Sequence, residues 1–532
     1  MTSIMILGAG IMQIPGIRLA RQSGWRVIVV DGNPEAPGKA LADLFEVVDL
    51  KDREGLLAIA RRCRETSGLD GVFTAGTDFS SSVAWVAERM GLPGIPFEAA
   101  MRATDKCLMR EAFRRAGVPS PRFACWAGDS DPRLILDSLQ FPLVVKPVDN
   151  MGARGVRRVD DPDALIDACR AALPLSRSSR VIVEDFMDGP ELSLDAVVYR
   201  GSSTVCGIAD RHICFPPSFV EMGHTMPTAL DAPTTARVEE VFKAGIHAIG
   251  IDNGAAKGDI KLTRKGPMIG EIAARLSGGY MSGWTFPLSS GVEVTQAALN
   301  IAVGLPPGDL TARVSKVVAE RAFISIPGSV QQVIGVDEAK AMPQVAELFV
   351  RVRPGDTVVF PRNNVEKCGN VIAVAATRQA AERAARDALG RILINLQPMS
   401  EVTTHFLFHG SVANAFEVSD PEILRQLEAM APYYGDPRSS LPARPLQVLR
   451  LPGFENLSLG DWHGLMPAEA VSAALDGTAR LVDRASADGG LVLGRLFWKA
   501  MVRGSVQGGR YLLDSIREAI RTCTLDRFLA GL

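Results

Sequence analysis

Lys146 ends the apolar run Phe141-Pro-Leu-Val-Val-Lys-Pro147 and stands just before the loop Asp149-Asn-Met-Gly-Ala-Arg-Gly-Val156. An ammonium at a strand end, beside glycines that let the backbone approach closely, is suited to holding phosphate oxygens. Taken alone such a lysine is an ordinary solvated charge. The loop that follows it, with Gly152, Arg154, Gly155 and Val156, makes it a candidate for chemistry. Further on, Val181-Ile-Val-Glu184-Asp185-Phe186-Met187-Asp-Gly189-Pro190-Glu191 reads as a strand that breaks at Gly189-Pro190 and resumes through Leu192–Asp195. A broken strand leaves backbone N–H and C=O groups free for an adenine edge, while Glu191 accepts from ribose hydroxyls. A turn with solvated acids is the competing interpretation.

The segment from Gly258 to Arg275 reads as two antiparallel strands joined by a polar turn at Thr263–Gly266. Pairing through that turn brings Asp259 and Glu271 to one end of the hairpin, on a common face if the strands pair without a bulge. Two carboxylates there repel unless a cation lies between them, and Mg2+ bound to phosphate takes one or two such ligands, with Mn2+ as the alternative metal. Arg275 then presents a planar fork to a phosphate or carboxylate. On the substrate side, Glu221 is a candidate for an amino group and His224 for a base, although an ordinary hydrogen-bonded histidine is the more common case. Ser277-Gly278-Gly279 either holds a carboxylate through its amides or is a plain turn.

These residues need elements to carry them. The first hundred residues alternate strand-like runs (Ser3–Leu7, Arg26–Val30, Phe45–Val48, Gly71–Phe73) with helical periodicity, which predicts a parallel βαβ sheet. A helix from Lys106 to Ala116 closes at Gly117-Val118-Pro119. Longer alternating strands from Phe123 to about Val314 predict largely antiparallel sheets with helical cover. Phe323–Pro327, Glu347–Val352 and Val371–Thr377 read as strands of a smaller lobe ending in a helix from Arg378 to Ile394. The fold class is therefore multidomain, α/β followed by α+β. Its expected domains are 1–103, 104–316, a β-rich 317–398 and a C-terminal 399–532. The last contains loop-rich stretches such as Tyr433–Pro442 and helices around Met466–Leu475, Leu493–Val502 and Tyr511–Arg521.

The chain start carries Gly8-Ala-Gly10-Ile-Met-Gln13 after a strand, with Asp31 ending the next strand, a partial dinucleotide fingerprint. Gln13 stands where the third glycine belongs, so a tight strand–helix turn is preferred to a nicotinamide site. Thr74–Asp78 is a polar strand-end loop that either touches substrate or caps the next helix. With 532 residues, 47% hydrophobic and 22% charged at net charge −2, the chain lacks the basic excess of a nucleic-acid or membrane surface. No uninterrupted apolar run has membrane-spanning length. The eight cysteines show no zinc spacing and read as reduced thiols, with the cytoplasm as the default location.

With the motifs in this order, about residues 1 to 398 resemble the ATP-grasp superfamily, and within it amino-acid and peptide ligases, purine-pathway ligases and carbamoyl phosphate synthase. The resemblance implies ATP and Mg2+ as cofactors. Lys106 and Lys146 are then the phosphate-contacting lysines, Gly152–Val156 the loop that closes over ATP, and Glu184, Asp185, Phe186 and Met187 the adenine hinge. Glu191 becomes the ribose acid, Asp259 and Glu271 the metal carboxylates, and Arg275 the catalytic arginine. The family usually carries Asn two residues after the second metal acid, and Ala273 stands there. The implied reaction is an ADP-forming amide ligation through an acyl phosphate, between small-molecule carboxylate and amine partners, and a homodimer is compatible with it. A bicarbonate-using, carbamoyl-phosphate-synthase-like activity and a nucleotide-binding regulator without turnover are the alternatives.

Overall fold

Every residue of β1 (Ser3–Leu7) is buried because helices cover the sheet on both sides. Ile4 and Ile6 face the side of α1 (Ile14–Gln22), whereas Met5 and Leu7 pack with α2 (Arg53–Ser67) and α3 (Ser80–Met90). The sheet is parallel, with β3 (Leu44–Val47), β2 (Arg26–Asp31), β1 and β4 (Gly71–Phe73) in that spatial order. The computed structural model describes residues 1–410, 414–435, 446–476, 479–483 and 490–532. They divide into two units, Met1–Glu320 with Val374–Ala381, and Arg321–Ala373 with Glu382–Leu532.

In the first unit, α4 (Phe97–Thr104) leads into α5 (Lys106–Ala116), whose first turn is capped by the Asp105 carboxylate and whose end is set by left-handed Gly117. A four-stranded antiparallel sheet follows, with β5 (Phe123–Trp126), β8 (Val181–Asp185), β6 (Leu143–Pro147) and β7 (Arg157–Val159) in order across it, covered by α6 (Pro162–Ala172). A second antiparallel array places β13 (Gly266–Ala273), β12 (Gly254–Thr263), β9 (Glu191–Tyr199), β10 (Ser202–Cys214) and β11 (Val220–Met226) side by side. Phe242, Ile246 and Ile249 of α7 (Ala232–Ile249) seal it with Met109 and Phe113 of α5. Mixed parallel and antiparallel sheets with helical cover are the expected class. The cysteines are not all reduced: Cys107 and Cys125 form a disulfide with 6.3 Å between their Cα atoms, because α5 lies against β5.

In the second unit, Thr357–Val358, Gly328–Ile334 and Leu393–Leu396 form one sheet. Another pairs Tyr433–Tyr434 and Leu446–Leu449 with Val492–Leu493 and Ala479–Val482. Several expected boundaries move. Val317–Phe323 is the strand expected at Phe323–Pro327, and the helix from Arg378 stops at Leu389, after which Leu393–Leu396 is a strand. The helices expected at Leu493–Val502 and Tyr511–Arg521 are joined as Arg495–Arg521, interrupted by Ser505 at φ 50° and ψ −143°. The part of Tyr433–Pro442 beyond Gly435 lies outside the described residues. Among the described residues no helix is long and apolar enough to cross a membrane.

Candidate active site

Asp105 caps α5 by accepting from the amides of Cys107 and Leu108, and Arg180 pairs with its other oxygen. That cap fixes Lys106 at the first helical position, where the side chain is 6% exposed. Its ammonium donates to the Asn150 carbonyl at 2.9 Å and lies 3.2 Å from Glu271. One cation therefore joins the glycine loop to the acid of β13. In the loop, Gly152, Ala153 and Gly155 all have positive φ, of 68°, 60° and 73°. A side chain at 155 would meet Leu175 at 2.7 Å and Pro147 at 2.9 Å, so glycine is required there. Asp149 anchors the loop base through Ser176 and the amides of Arg177 and Ser178. Arg154 reaches out of the loop to Asp78 at 3.4 Å.

Lys146 projects from β6 to Glu184 of β8, 2.6 Å away. Glu184 is 1% exposed and also meets Arg110 of α5 at 2.7 Å. Burial pushes its carboxyl up, but Arg110 and Lys146 outweigh that and hold it below the usual carboxylate range. The side chain thus secures a lysine from within. Asp185 is turned toward Arg122, at 2.7 Å. Phe186 donates its N–H to the Pro142 carbonyl and carries Arg158 over its ring, while Met187 lies beside Gly270. The break itself depends on Gly189, at φ 132°, where any Cβ would come within 2.2 Å of the Leu262 carbonyl oxygen.

Asp259 and Glu271 are direct register partners in β12 and β13, although the hairpin does bulge just beyond them, between Asp259 and Ile260. The expectation of an unbulged hairpin is thereby corrected: continuing the turn's register would set Asp259 opposite Gly270, and the one-residue shift at the bulge is what brings the two acids opposite each other. Lys257 pairs with Asp259. Burial raises the Glu271 carboxyl, yet Lys106, Lys257 and Lys146 together bring it down to about 2, so it is ionised at neutral pH. Two carboxylates on facing strands would suit Mg2+, which prefers oxygen donors and takes one or two from protein. Ala273 contributes no donor, and among the described residues no cluster of three or more His, Cys, Asp or Glu side chains is arranged for a metal. Arg275 donates to the Leu276 carbonyl at 2.8 Å.

The substrate-side candidates separate. Glu221 meets Arg211 at 2.7 Å and faces the same charged row as Glu191 and Asp259. His224 is fully buried, with Nε2 3.0 Å from the Thr285 hydroxyl and Nδ1 3.2 Å from Glu320, so both ring nitrogens point at protein groups. Ser277 donates both its amide and its hydroxyl to buried Asp195, which leaves neither for a ligand. Gly278 packs on Gly76, where a Cβ would be 3.2 Å from its Cα, and Gly279 has φ 60°. At the start of the chain, Gln13 is 5% exposed and donates to the Ala75 carbonyl, filling the space a third fingerprint glycine would leave. Asp31 is taken by the amides of Ala9 and Asn33.

Several charged residues of the network belong to no sequence motif. Arg211, Arg110 and Asp195 enter the network from elements other than those that carry their partners, whereas Lys257 lies two residues before its partner Asp259 on β12. Asp78 is not a helix cap; it receives Arg154 and Arg177, and burial raises its carboxyl against the pull of Arg275, Arg177, Arg154 and Lys106. The available signal in β12 is a charged residue at every second position, Lys257, Asp259 and Lys261, on the face opposite buried Gly258 and Ile260.

Residues 139–283 match the ATP-grasp domain family, and residues 322–397 match L-amino acid ligase C-terminal domain 2. An uncharacterized protein, y4rH, of Sinorhizobium fredii is 27% identical over 382 residues, 70% of this chain and 79% of that one. Carnosine synthase 1 of Gallus gallus is 26% identical over 329 residues, 57% of this chain, but the chain spans only 35% of that relative's length. The crystal structure of L-amino acid ligase from Bacillus licheniformis superposes with a TM-score of 0.66 at 23% identity, covering 75% of this chain and 99% of that one, and so shares its fold. The chain therefore contains an ATP-grasp domain, at residues 139–283, followed by a region matching L-amino acid ligase C-terminal domain 2, at residues 322–397.

Proposed function

We propose that the chain is an ATP-dependent carboxylate–amine ligase that joins small, amino-acid-like substrates through an acyl phosphate, releasing ADP and phosphate. The observation that carries it is Lys106, whose ammonium lies at once on the glycine loop and on Glu271, opposite Asp259. A buried lysine, the glycine loop and two facing acids thereby support one phosphate-binding site. The likeness to carnosine synthase and to an L-amino acid ligase supports an amide product over a bicarbonate-derived one.

In this assignment Lys106 and Lys146 hold the phosphates of ATP, the hinge at 184–187 receives adenine, and Glu191 receives the ribose. Asp259 and Glu271 would hold Mg2+, which neutralises phosphate charge during transfer. A substrate carboxylate attacks the γ-phosphorus, ADP departs, and Arg275 with Lys146 stabilises the spreading negative charge. The amine then attacks the acyl carbon and phosphate leaves, its surplus proton passing to solvent or phosphate. Loop 149–156, closing with Arg154, keeps water from the acyl phosphate. Glu221 binds the ammonium of one substrate, while His224 and Ser277 shape the pocket from behind. Domains of 1–103, 104–316, 317–398 and 399–532 accompany this assignment.

The test is ADP release over a panel of amino acids, dipeptides and simple carboxylates, with bicarbonate alone as a separate arm, repeated with Lys146→Ala and Glu271→Ala. Turnover with an acid–amine pair and its loss in both variants is expected. Variants that match the parent rate refute the site, and turnover on bicarbonate alone refutes the amide product.

A further inference from the structure

Four carboxylates face the proposed nucleotide and substrate positions, and the cations among them are not equivalent. Lys257 is in contact with Asp259, and Lys261 with Glu191 at 3.2 Å. Arg211 serves three. It stands on β10 directly across from Glu191 on β9, with which it pairs. The same Nη1 lies 2.9 Å from Asp259 on β12, and Nη2 lies 2.7 Å from Glu221 on β11. The side chain is 10% exposed. A guanidinium can do this because its donors are fixed in a planar fork, whereas an ammonium is a point charge.

We propose that Arg211 is a positioning residue that couples the nucleotide–metal half of the site to the acceptor half, by sharing one guanidinium among the acids of three subsites. The roles of those acids rest on the ligase assignment above. Glu191 and Asp259 are held in a common orientation by Nη1, ready for ribose and metal. Glu221 draws on the same cation through Nη2. Neutralising Glu221 therefore leaves the guanidinium's attraction concentrated on Asp259 and Glu191, and weakens their hold on metal and ribose at a distance. Coupling of this kind is reciprocal, so magnesium nucleotide strengthens the response of Glu221 to an ammonium by the same factor.

Titration calorimetry of the full chain with ADP at saturating Mg2+ tests this without knowledge of the acceptor. Arg211→Lys keeps the charge and loses the fork, and is expected to weaken magnesium-ADP binding about tenfold. Glu221→Gln, remote from the nucleotide except through Arg211, is expected to weaken it about threefold. The double variant is expected to bind no more weakly than Arg211→Lys alone, because the connecting group is already gone. A merely structural role for Arg211 predicts losses that add. Additive losses, or a Glu221→Gln protein that binds as the parent does, overturn the inference. If Arg211→Lys fails to fold, Glu221→Gln in the parent background decides it alone. A parent that does not bind magnesium-ADP overturns the ligase assignment and this inference together, whereas a binding parent with an unaffected Glu221→Gln overturns this inference only.

Discussion

Glu184→Ala is expected to destabilise the first unit strongly, from the interior rather than from the nucleotide surface. The carboxylate is 1% exposed and sits between Arg110, 0% exposed, at 2.7 Å and Lys146 at 2.6 Å. Its removal leaves Arg110 buried with the Gly270 carbonyl at 2.6 Å and the Phe113 ring, neither of which carries a compensating charge. Removing one partner of a buried pair costs about 3–5 kcal/mol. For a cooperative unit of roughly 330 residues, an unfolding entropy of about 2.1 cal/mol/K per residue converts that into a fall of about 4–7 °C in Tm. Scanning calorimetry reads it directly. Glu184→Gln, which keeps the shape and a hydrogen-bond acceptor, should lose about half as much. Combining it with Arg110→Met should lose less than the two single losses together, since the buried charge is then gone. A Glu184→Ala protein that melts within about 1 °C of the parent would refute the buried-pair account.

Asp195 is fully buried, and burial raises its carboxyl to about 6 despite the opposing Ser277 hydrogen bonds. The folded chain then holds a proton that the unfolded chain has released, so stability falls as pH rises from about 4 to 6, by about 3 kcal/mol at most. Urea midpoints across that window should flatten in Asp195→Asn, and an unchanged slope would contradict this. Thiol titration of the denatured, unreduced chain should count the six cysteines outside the Cys107–Cys125 bridge, and reduction should expose the other two; eight before reduction would exclude the bridge. Gly189→Ala forces a Cβ into the Leu262 carbonyl at 2.2 Å and should cost at least about 2 kcal/mol in chemical denaturation, with weakened ADP binding. A neutral Gly189→Ala would mean that the hinge has room to move.

Some of this was written locally in the chain. The turn at Thr263–Gly266 marks the hairpin that carries Asp259 and Glu271, although a bulge after Asp259 is what sets the two opposite each other; α5 begins at its Asp105 cap and stops at Gly117; the glycine loop and the Gly189-Pro190 break are visible as residue types. The order of these features along the chain was enough to point to an ATP-grasp domain, which residues 139–283 match, because each feature depends on a few neighbouring residues. Tertiary packing decided the rest. Glu184 lies in the segment proposed as the hinge, but its side chain turns inward, since α5 delivers Arg110 to it and β6 delivers Lys146. His224 and Ser277 each had a structural and a substrate reading in sequence, and packing decides for the structural one, with Glu320 and Thr285 on His224 and Asp195 on Ser277. Arg110 reaches the Gly270 carbonyl across 160 residues, and Lys146 reaches Glu184 across 38. Turns, caps and alternation act over a few residues and are legible in sequence. The partner of a buried charge is chosen by which strands and helices meet, and only the folded chain brings them together.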